Sequence, residues 1–153
     1  MKKTRVTLIL LAVAICAVYL INCGTSSSYV KTESAVDWYN RGVDETDLNK
    51  KIEYYSRAIS IDPNFADAYG NRGYCYNKLG RYNQALNDLN RAIRLDPKSH
   101  IKFNNRGSAY SNLKMYNEAI RDFTRAIQIN PGYDFAYGNR GIAYSNLKSH
   151  YNA

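Results

Sequence analysis

Arg91-Ala92-Ile93-Arg94-Leu95-Asp96-Pro97 is the middle of three copies of one phrase. Arg57-Ala58-Ile59-Ser60-Ile61-Asp62-Pro63 comes before it, and Arg125-Ala126-Ile127-Gln128-Ile129-Asn130-Pro131 comes after. The closing prolines stand 34 residues apart. A fixed period of this size marks a stacked array of similar units, not a globule around one pocket. The functional question therefore shifts from catalysis to surfaces that hold other chains.

Working outward from the prolines gives two full units, residues 65–98 and 99–132. Tyr69, Gly73 and Tyr76 fall at i, i+4 and i+7, one face of a helix. Phe103, Gly107 and Tyr110 repeat that face, and so do Tyr137, Gly141 and Tyr144. These rings read as core, with the glycine letting a second helix come close. Breaks follow at Leu79-Gly80-Arg81 and Leu113-Lys114-Met115, so second helices are predicted to start at Tyr82 and Tyr116. Ala85, Leu89 and Ala92 share one face of the second helix, matched by Ala119, Phe123 and Ala126. Asp-Pro or Asn-Pro then ends the helix, because proline disfavours helical backbone in the residue before it.

This pattern resembles the tetratricopeptide repeat, a helix–turn–helix unit of 34 residues. The resemblance spans residues 33–153. It implies an all-α fold, a right-handed α-solenoid of antiparallel helix pairs, with the first helices lining a concave side. About three repeats plus a terminal helix are expected. The first unit is irregular: Gly42 to Pro63 is 21 residues, against 24 from Gly73 to Pro97, so its first helix is short or its turn is tight. The last unit has a first helix over 134–147, while Tyr151-Asn152-Ala153 only begins a second. Either that helix is a cap or the natural chain is longer. In both cases Tyr137, Tyr144 and Leu147 are expected to be partly exposed.

A second face runs between the aromatic columns. It holds Asp67, Gly70, Asn71, Tyr74, Asn77 and Lys78 in one unit, and Ile101, Asn104, Asn105, Ser108, Ser111 and Asn112 in the next. The last unit contributes Phe135, Gly138, Asn139, Ile142, Ser145 and Asn146. Asn40, Asn71, Asn105 and Asn139 form one column. An asparagine amide both donates and accepts, so such a stack suits an extended peptide backbone. The column is similar to the asparagine ladder of the tetratricopeptide domains in O-linked N-acetylglucosamine transferase and kinesin light chain. It serves equally well to satisfy neighbouring helices or water. The expected groove residues are Asn40, Asn71, Tyr74, Lys78, Asn105, Asn112, Asn139 and Asn146. The family's carboxylate clamp needs a lysine where Gly70 and Asn104 stand, so that mode is not expected.

Arg57, Arg91 and Arg125, with Arg94, Lys98 and Arg121, predict a basic convex face, either solvated or laid against anionic lipid. Arg41, Arg72, Arg106 and Arg140 form another column. Asp88 and Asp122 are expected to pair with Arg72 and Arg106. Cys75 stands in the column of Ala109 and Ala143 and reads as a packing residue.

The N-terminus has its own logic. Met1-Lys2-Lys3-Thr4-Arg5 is basic, residues 6–21 carry no charge, and Asn22-Cys23-Gly24 follows. A basic head, an apolar body and a small polar tail describe an export signal or membrane anchor over residues 1–22. Leu20-Ile21-Asn22-Cys23-Gly24 resembles a bacterial lipobox, which implies acylation at Cys23. Residues 23–32 read as a flexible tether. The domain would then lie outside the cytoplasm, in the cell envelope and on its periplasmic side.

Removing Lys2, Lys3 and Arg5 lowers the net charge from +8 to +5, too mild to require nucleic acid. Three cysteines, one in the apolar leader and one at the lipobox, leave no disulfide framework and no Cys/His metal set. His100 and His150 lack acidic or cysteine partners at catalytic spacing, and no phosphate loop appears. The sequence thus reads as a non-enzymatic, envelope-anchored adaptor without cofactor or metal, binding a protein or peptide partner in its groove. The rival reading is a structural subunit that stacks through its ends, with self-association through the terminal helix.

Overall fold

The computed structural model describes residues 33–151; the leader, Cys23 and the tether lie outside the described residues. Seven helices make up the described chain: α1 Ala35–Asp44, α2 Leu48–Ile61, α3 Ala66–Lys78, α4 Tyr82–Leu95, α5 His100–Asn112, α6 Tyr116–Ile129 and α7 Asp134–Tyr151. The fold is the all-α array that the period implies. Helices α1/α2, α3/α4 and α5/α6 form hairpins, and each second helix also packs on the first helix of the next unit. First helices touch one another directly, α3 with α5 and α5 with α7, and so build one continuous wall.

The ends of the helices follow local chemistry. Ser34 caps α1 in a reciprocal box with Asp37. Asp47 caps α2 by accepting from the Lys50 N–H. The second helices stop at Asp62, Asp96 and Asn130, each extended and each donating its N–H to the carbonyl of Ala58, Ala92 or Ala126. Each of these residues precedes a proline, as the phrase requires.

The tight turns use left-handed backbone at Gly80, φ 73°, and at Lys114, φ 61°. They close with Arg81 N–H donating to the Tyr76 carbonyl and Met115 N–H donating to that of Tyr110, both at 2.9 Å. This is the bond from beyond the helix end back to its last turn that a left-handed residue makes available.

Packing within a hairpin rests on close approach at one glycine. A methyl built on Gly73 would lie 2.8 Å from Leu89 Cγ, and one on Gly107 would lie 2.7 Å from Phe123 Cε1. In the first hairpin a methyl built on Gly42 would lie 2.5 Å from Tyr55 Cε1. Ala58, Ala85, Ala92, Ala119 and Ala126 are fully buried at the crossings. The irregular first unit is explained by α1, which has 10 residues against 13 in α3 and α5. Its shorter length moves the side chain that covers the glycine from 16 residues downstream to 13.

One expectation fails. The chain does not turn after Leu147 to begin a second helix at Tyr151; α7 runs unbroken for 18 residues through Tyr151. Lys148, in the register of Gly80 and Lys114, stays helical. Left-handed backbone costs a non-glycine residue roughly 1–2 kcal/mol. In the earlier units the packing of a second helix offsets that cost, and α7 has no such helix among the described residues.

Candidate functional site

The wall of first helices is indented between α3, α5 and α7. The depression has a volume of about 400 Å3. Tyr74, Asn77 and Lys78 line it from α3, and Asn104, Asn105, Ser108 and Asn112 from α5. Tyr133, Phe135 and Asn139 close the far side. Of the residues expected in the groove, Tyr74, Lys78, Asn105, Asn112 and Asn139 come together here. Asn71 lies one step away, in a smaller depression of about 230 Å3 with Val43, Lys51, Tyr55, Tyr74 and Cys75. Asn40 and Asn146 are exposed and line neither depression.

The amides form a relay across units. Asn71 Nδ2 donates to the Tyr39 hydroxyl at 3.1 Å. Asn112 Nδ2 donates to Asn77 Oδ1 at 3.0 Å, and Asn77 Nδ2 reaches the Asn105 main-chain carbonyl at 3.4 Å. Asn139 Nδ2 donates to Asn104 Oδ1 at 3.0 Å. Much of the donor capacity is therefore used between helices. The side-chain carbonyls of Asn71, Asn112 and Asn139 stay open, and so does the whole Asn105 amide. Asn112 and Asn139 each donate one of two amide N–H bonds, so the column keeps both donors and acceptors for the backbone of an extended chain.

Gly70 and Asn104 are buried in the wall, although Asn104 still lines the depression. Beneath them lies a residue absent from the sequence-derived groove. Lys102 is only 5% exposed, and its Nζ donates to Asp67 Oδ1 at 2.7 Å and to Asp96 Oδ2 at 2.9 Å. Burial works to lower the pKa of this ammonium, but its bonds to Asp67 and Asp96 prevail and hold it above the ordinary range. In return Lys102 holds the Asp96 carboxyl below its usual range. Lys102 occupies the column of Ala68 and Ala136, both fully buried. A lysine in an alanine column was the signal that would have revealed it.

Apolar side chains stand around the amides. Phe135 is 71% exposed, Ile142 59%, Ile101 49% and Tyr74 42%. Lys78 lies 5.5 Å from the Tyr74 ring centroid and is an exposed cation at the depression. The site is thus largely uncharged, with aromatic and aliphatic contacts beside amide acceptors.

The arginine column has the structural role expected of it. Arg72 binds Asp88 through two bonds, Nε at 2.7 Å and Nη2 at 2.8 Å, and Arg106 binds Asp122 through two at 2.7 Å. The same guanidiniums also reach backward, Nη1 of Arg72 to Ser56 and Nη1 of Arg106 to Asn90. Ser56, Asn90 and Thr124 form a third ladder, missed in the sequence because its residue types differ. Arg57, Arg91 and Arg125 are partly engaged: Arg57 pairs with Glu53 over the Trp38 ring, Arg91 holds the Pro63 carbonyl and Asn64, and Arg125 bonds Gln128.

Cys75 is 1% exposed, and burial pushes its thiol up from the ordinary value, which suits packing. The Tyr55 hydroxyl, buried beside it, is pushed up to about 12 chiefly by desolvation. Among the described residues no three His, Cys, Asp or Glu side chains gather as a metal site.

Stacked antiparallel helix pairs with first helices lining one face define a helical-repeat solenoid. The family model described as "Tetratricopeptide repeat" matches residues 66–99 and 102–133, and the chain belongs to that family. It is similar to DnaJ homolog subfamily C member 7 of Mus musculus, 38% identical over 58 residues, which is 38% of this chain and 12% of the mouse protein. It is also similar to an uncharacterised protein of Methanocaldococcus jannaschii, 35% identical over 51 residues, 31% of this chain and 59% of that one. The matches therefore span less than two thirds of either relative. Among solved structures, the second tetratricopeptide domain of human RPAP3 in complex with an HSP70 peptide superposes with a TM-score of 0.66 at 32% identity. That superposition covers 72% of this chain and 92% of the RPAP3 domain.

Proposed function

We propose that this chain is a protein-binding adaptor that holds an extended peptide segment of a partner along the wall formed by α3, α5 and α7. The observation that carries this reading is the meeting of the Asn105, Asn112 and Asn139 amides with exposed Tyr74 and Phe135 in one indentation. Amide acceptors take backbone N–H groups whatever the sequence, and apolar contacts supply side-chain preference. The similar RPAP3 domain, bound to the HSP70 peptide, supports a peptide ligand for this fold. Here Lys102 is already neutralised by Asp67 and Asp96, which leaves Lys78 as the exposed cation at the depression, so the preferred segment is chiefly apolar. Peptides selected from a random display library against the full chain test this. They should be enriched in aromatic and aliphatic residues and should be lost with Asn71→Ala, Asn105→Ala and Asn139→Ala combined.

The adaptor would work from the cell envelope. The basic head, the apolar stretch 6–21 and Cys23 support export and lipid anchoring, with the repeats on the periplasmic side. Mass spectrometry of the mature N-terminus checks the anchor: an acylated Cys23 supports it, and an intact Met1 removes lipidation. The structural-subunit reading draws on the exposure of Tyr137 and Tyr144, and its test is concentration-dependent self-association.

A further inference from the structure

We propose that His100 is a positioning residue of the groove: its neutral ring holds the far wall in place, and a proton on that ring releases the wall. This regulation rests on the peptide groove proposed above. Tyr133 and Phe135 close the depression on its far side. Tyr133 belongs to the turn between α6 and α7, where its N–H donates to the Asn130 carbonyl. Asn130 Nδ2 meets Nε2 of His100, the first residue of α5, at 3.3 Å, and the Tyr133 ring packs against the imidazole with centroids 4.7 Å apart. The other end of the amide fixes the direction of the bond. Asn130 Oδ1 accepts from the Gly132 N–H at 3.1 Å. Carboxylates close the same turn in the earlier units, Asp62 accepting from the Asn64 N–H and Asp96 from the Lys98 N–H. An oxygen must face Gly132, which leaves the amide N–H to face His100. Nε2 of His100 must therefore accept, and only a neutral imidazole accepts.

A proton on Nε2 sets N–H against N–H. Turning the amide over satisfies the imidazolium only by giving up Gly132, so the turn that carries Tyr133 loses a hydrogen bond either way. Histidine changes charge between about pH 5 and 8, and the wall loosens as acidity rises across that range. Tyr133 is the titratable side chain against the ring, and its phenol, pushed up by burial, stays neutral there. The other charges nearby are engaged or point to water. Lys102 of α5 is bonded to Asp67 of α3 and to Asp96 of the α4–α5 turn, and Arg125 of α6 bonds Gln128. Lys98 and Asp134 are exposed, and among the described residues no ion pair reaches the ring. Asp62 and Asp96 stand where this unit has Asn130, so the uncharged amide is what makes the contact depend on a neutral histidine.

The test follows the full chain from about pH 8 to about pH 5 by nuclear magnetic resonance, and by fluorescence polarisation with one display-selected peptide that has blocked ends and no ionisable side chain. The Gly132 amide and Tyr133 ring signals should move with the His100 ring. The peptide's affinity should fall roughly fivefold toward acid, the worth of about one hydrogen bond. His100→Gln keeps an acceptor that does not titrate, so both readouts should stay flat. Asn130→Asp brings in the carboxylate of the other units and favours the imidazolium, so the affinity should instead rise toward acid. A merely structural role for His100 does not invert that slope. Gly132 and Tyr133 signals indifferent to the His100 titration overturn the proposal, and so does an affinity slope that His100→Gln leaves unchanged. Signals that follow His100 in a chain that binds no peptide at any pH support the histidine contact and sink the peptide groove alone.

Discussion

Arg72 on α3 grips Asp88 on α4 through two parallel hydrogen bonds at 2.7 and 2.8 Å, and its remaining nitrogen reaches Ser56 on α2 at 2.9 Å. One guanidinium thus ties three helices from two repeats. Both ionic side chains are largely buried, 18% and 10% exposed. Removing one partner from such a pair costs about 3–5 kcal/mol, because the other charge is left buried and unpaired. Asp88→Ala should lower stability by that order in urea unfolding. Arg72→Met combined with Asp88→Leu should recover much of it, and a double variant as unstable as Asp88→Ala alone would contradict this account.

Lys114 offers the opposite sign. It holds the left-handed backbone that Gly80 adopts in the preceding turn. Lys114→Gly should raise stability by about 1 kcal/mol, since glycine takes this conformation without a Cβ clash. The urea midpoint reports it, and an unchanged or lowered midpoint would count against strain at this turn.

Gly107 and Gly141 share a column but not an environment. Gly107→Ala drives a methyl into the Phe123 ring and should destabilise by about 1–3 kcal/mol. Gly141→Ala meets nothing within 4 Å and should stabilise α7 by about 1 kcal/mol through helix propensity alone. Thermal unfolding of the two variants side by side decides it; equal shifts would mean that close packing is not what the glycine column provides.

The Lys102 cluster sets a pH window. Asp96 titrates below its ordinary value of 3.8 in the folded chain, mainly because Lys102 donates to it. Its contribution is therefore present above that value and is lost as pH falls through the lowered folded pKa. Lys102 titrates above its ordinary 10.5 once Asp67 and Asp96 outweigh desolvation, so its contribution is intact below 10.5 and fades as pH rises through the folded pKa. Stability measured from pH 2 to 6 should fall less steeply toward acid in Lys102→Met than in wild type. Identical slopes would show that the cluster does not govern acid sensitivity.

The residues that keep the 34-residue period made most of this fold legible in the sequence. Proline, glycine and alanine columns set the helix ends and crossings, and Tyr82 and Tyr116 begin their helices where the breaks place them. The arginine pairings also follow, because Asp88 and Asp122 keep the period. What escaped were residues that depart from it. Lys102 replaces alanine in its column, so periodicity conceals the buried cation under the groove. Ser56, Asn90 and Thr124 share one hydrogen-bonding role but no residue type. The continuous α7 was hidden for another reason: whether Lys148 turns depends on a packing partner, not on local sequence.

The groove is tested most directly by measuring one display-selected peptide against paired variants of the full chain. With circular dichroism confirming the fold, the combination of Asn71→Ala, Asn105→Ala and Asn139→Ala should weaken its affinity at least tenfold, as roughly three lost hydrogen bonds require. Phe135→Ser should weaken it independently. An affinity equal to wild type in both variants, with helicity intact, would contradict the account and leave the wall of first helices without a ligand-binding role.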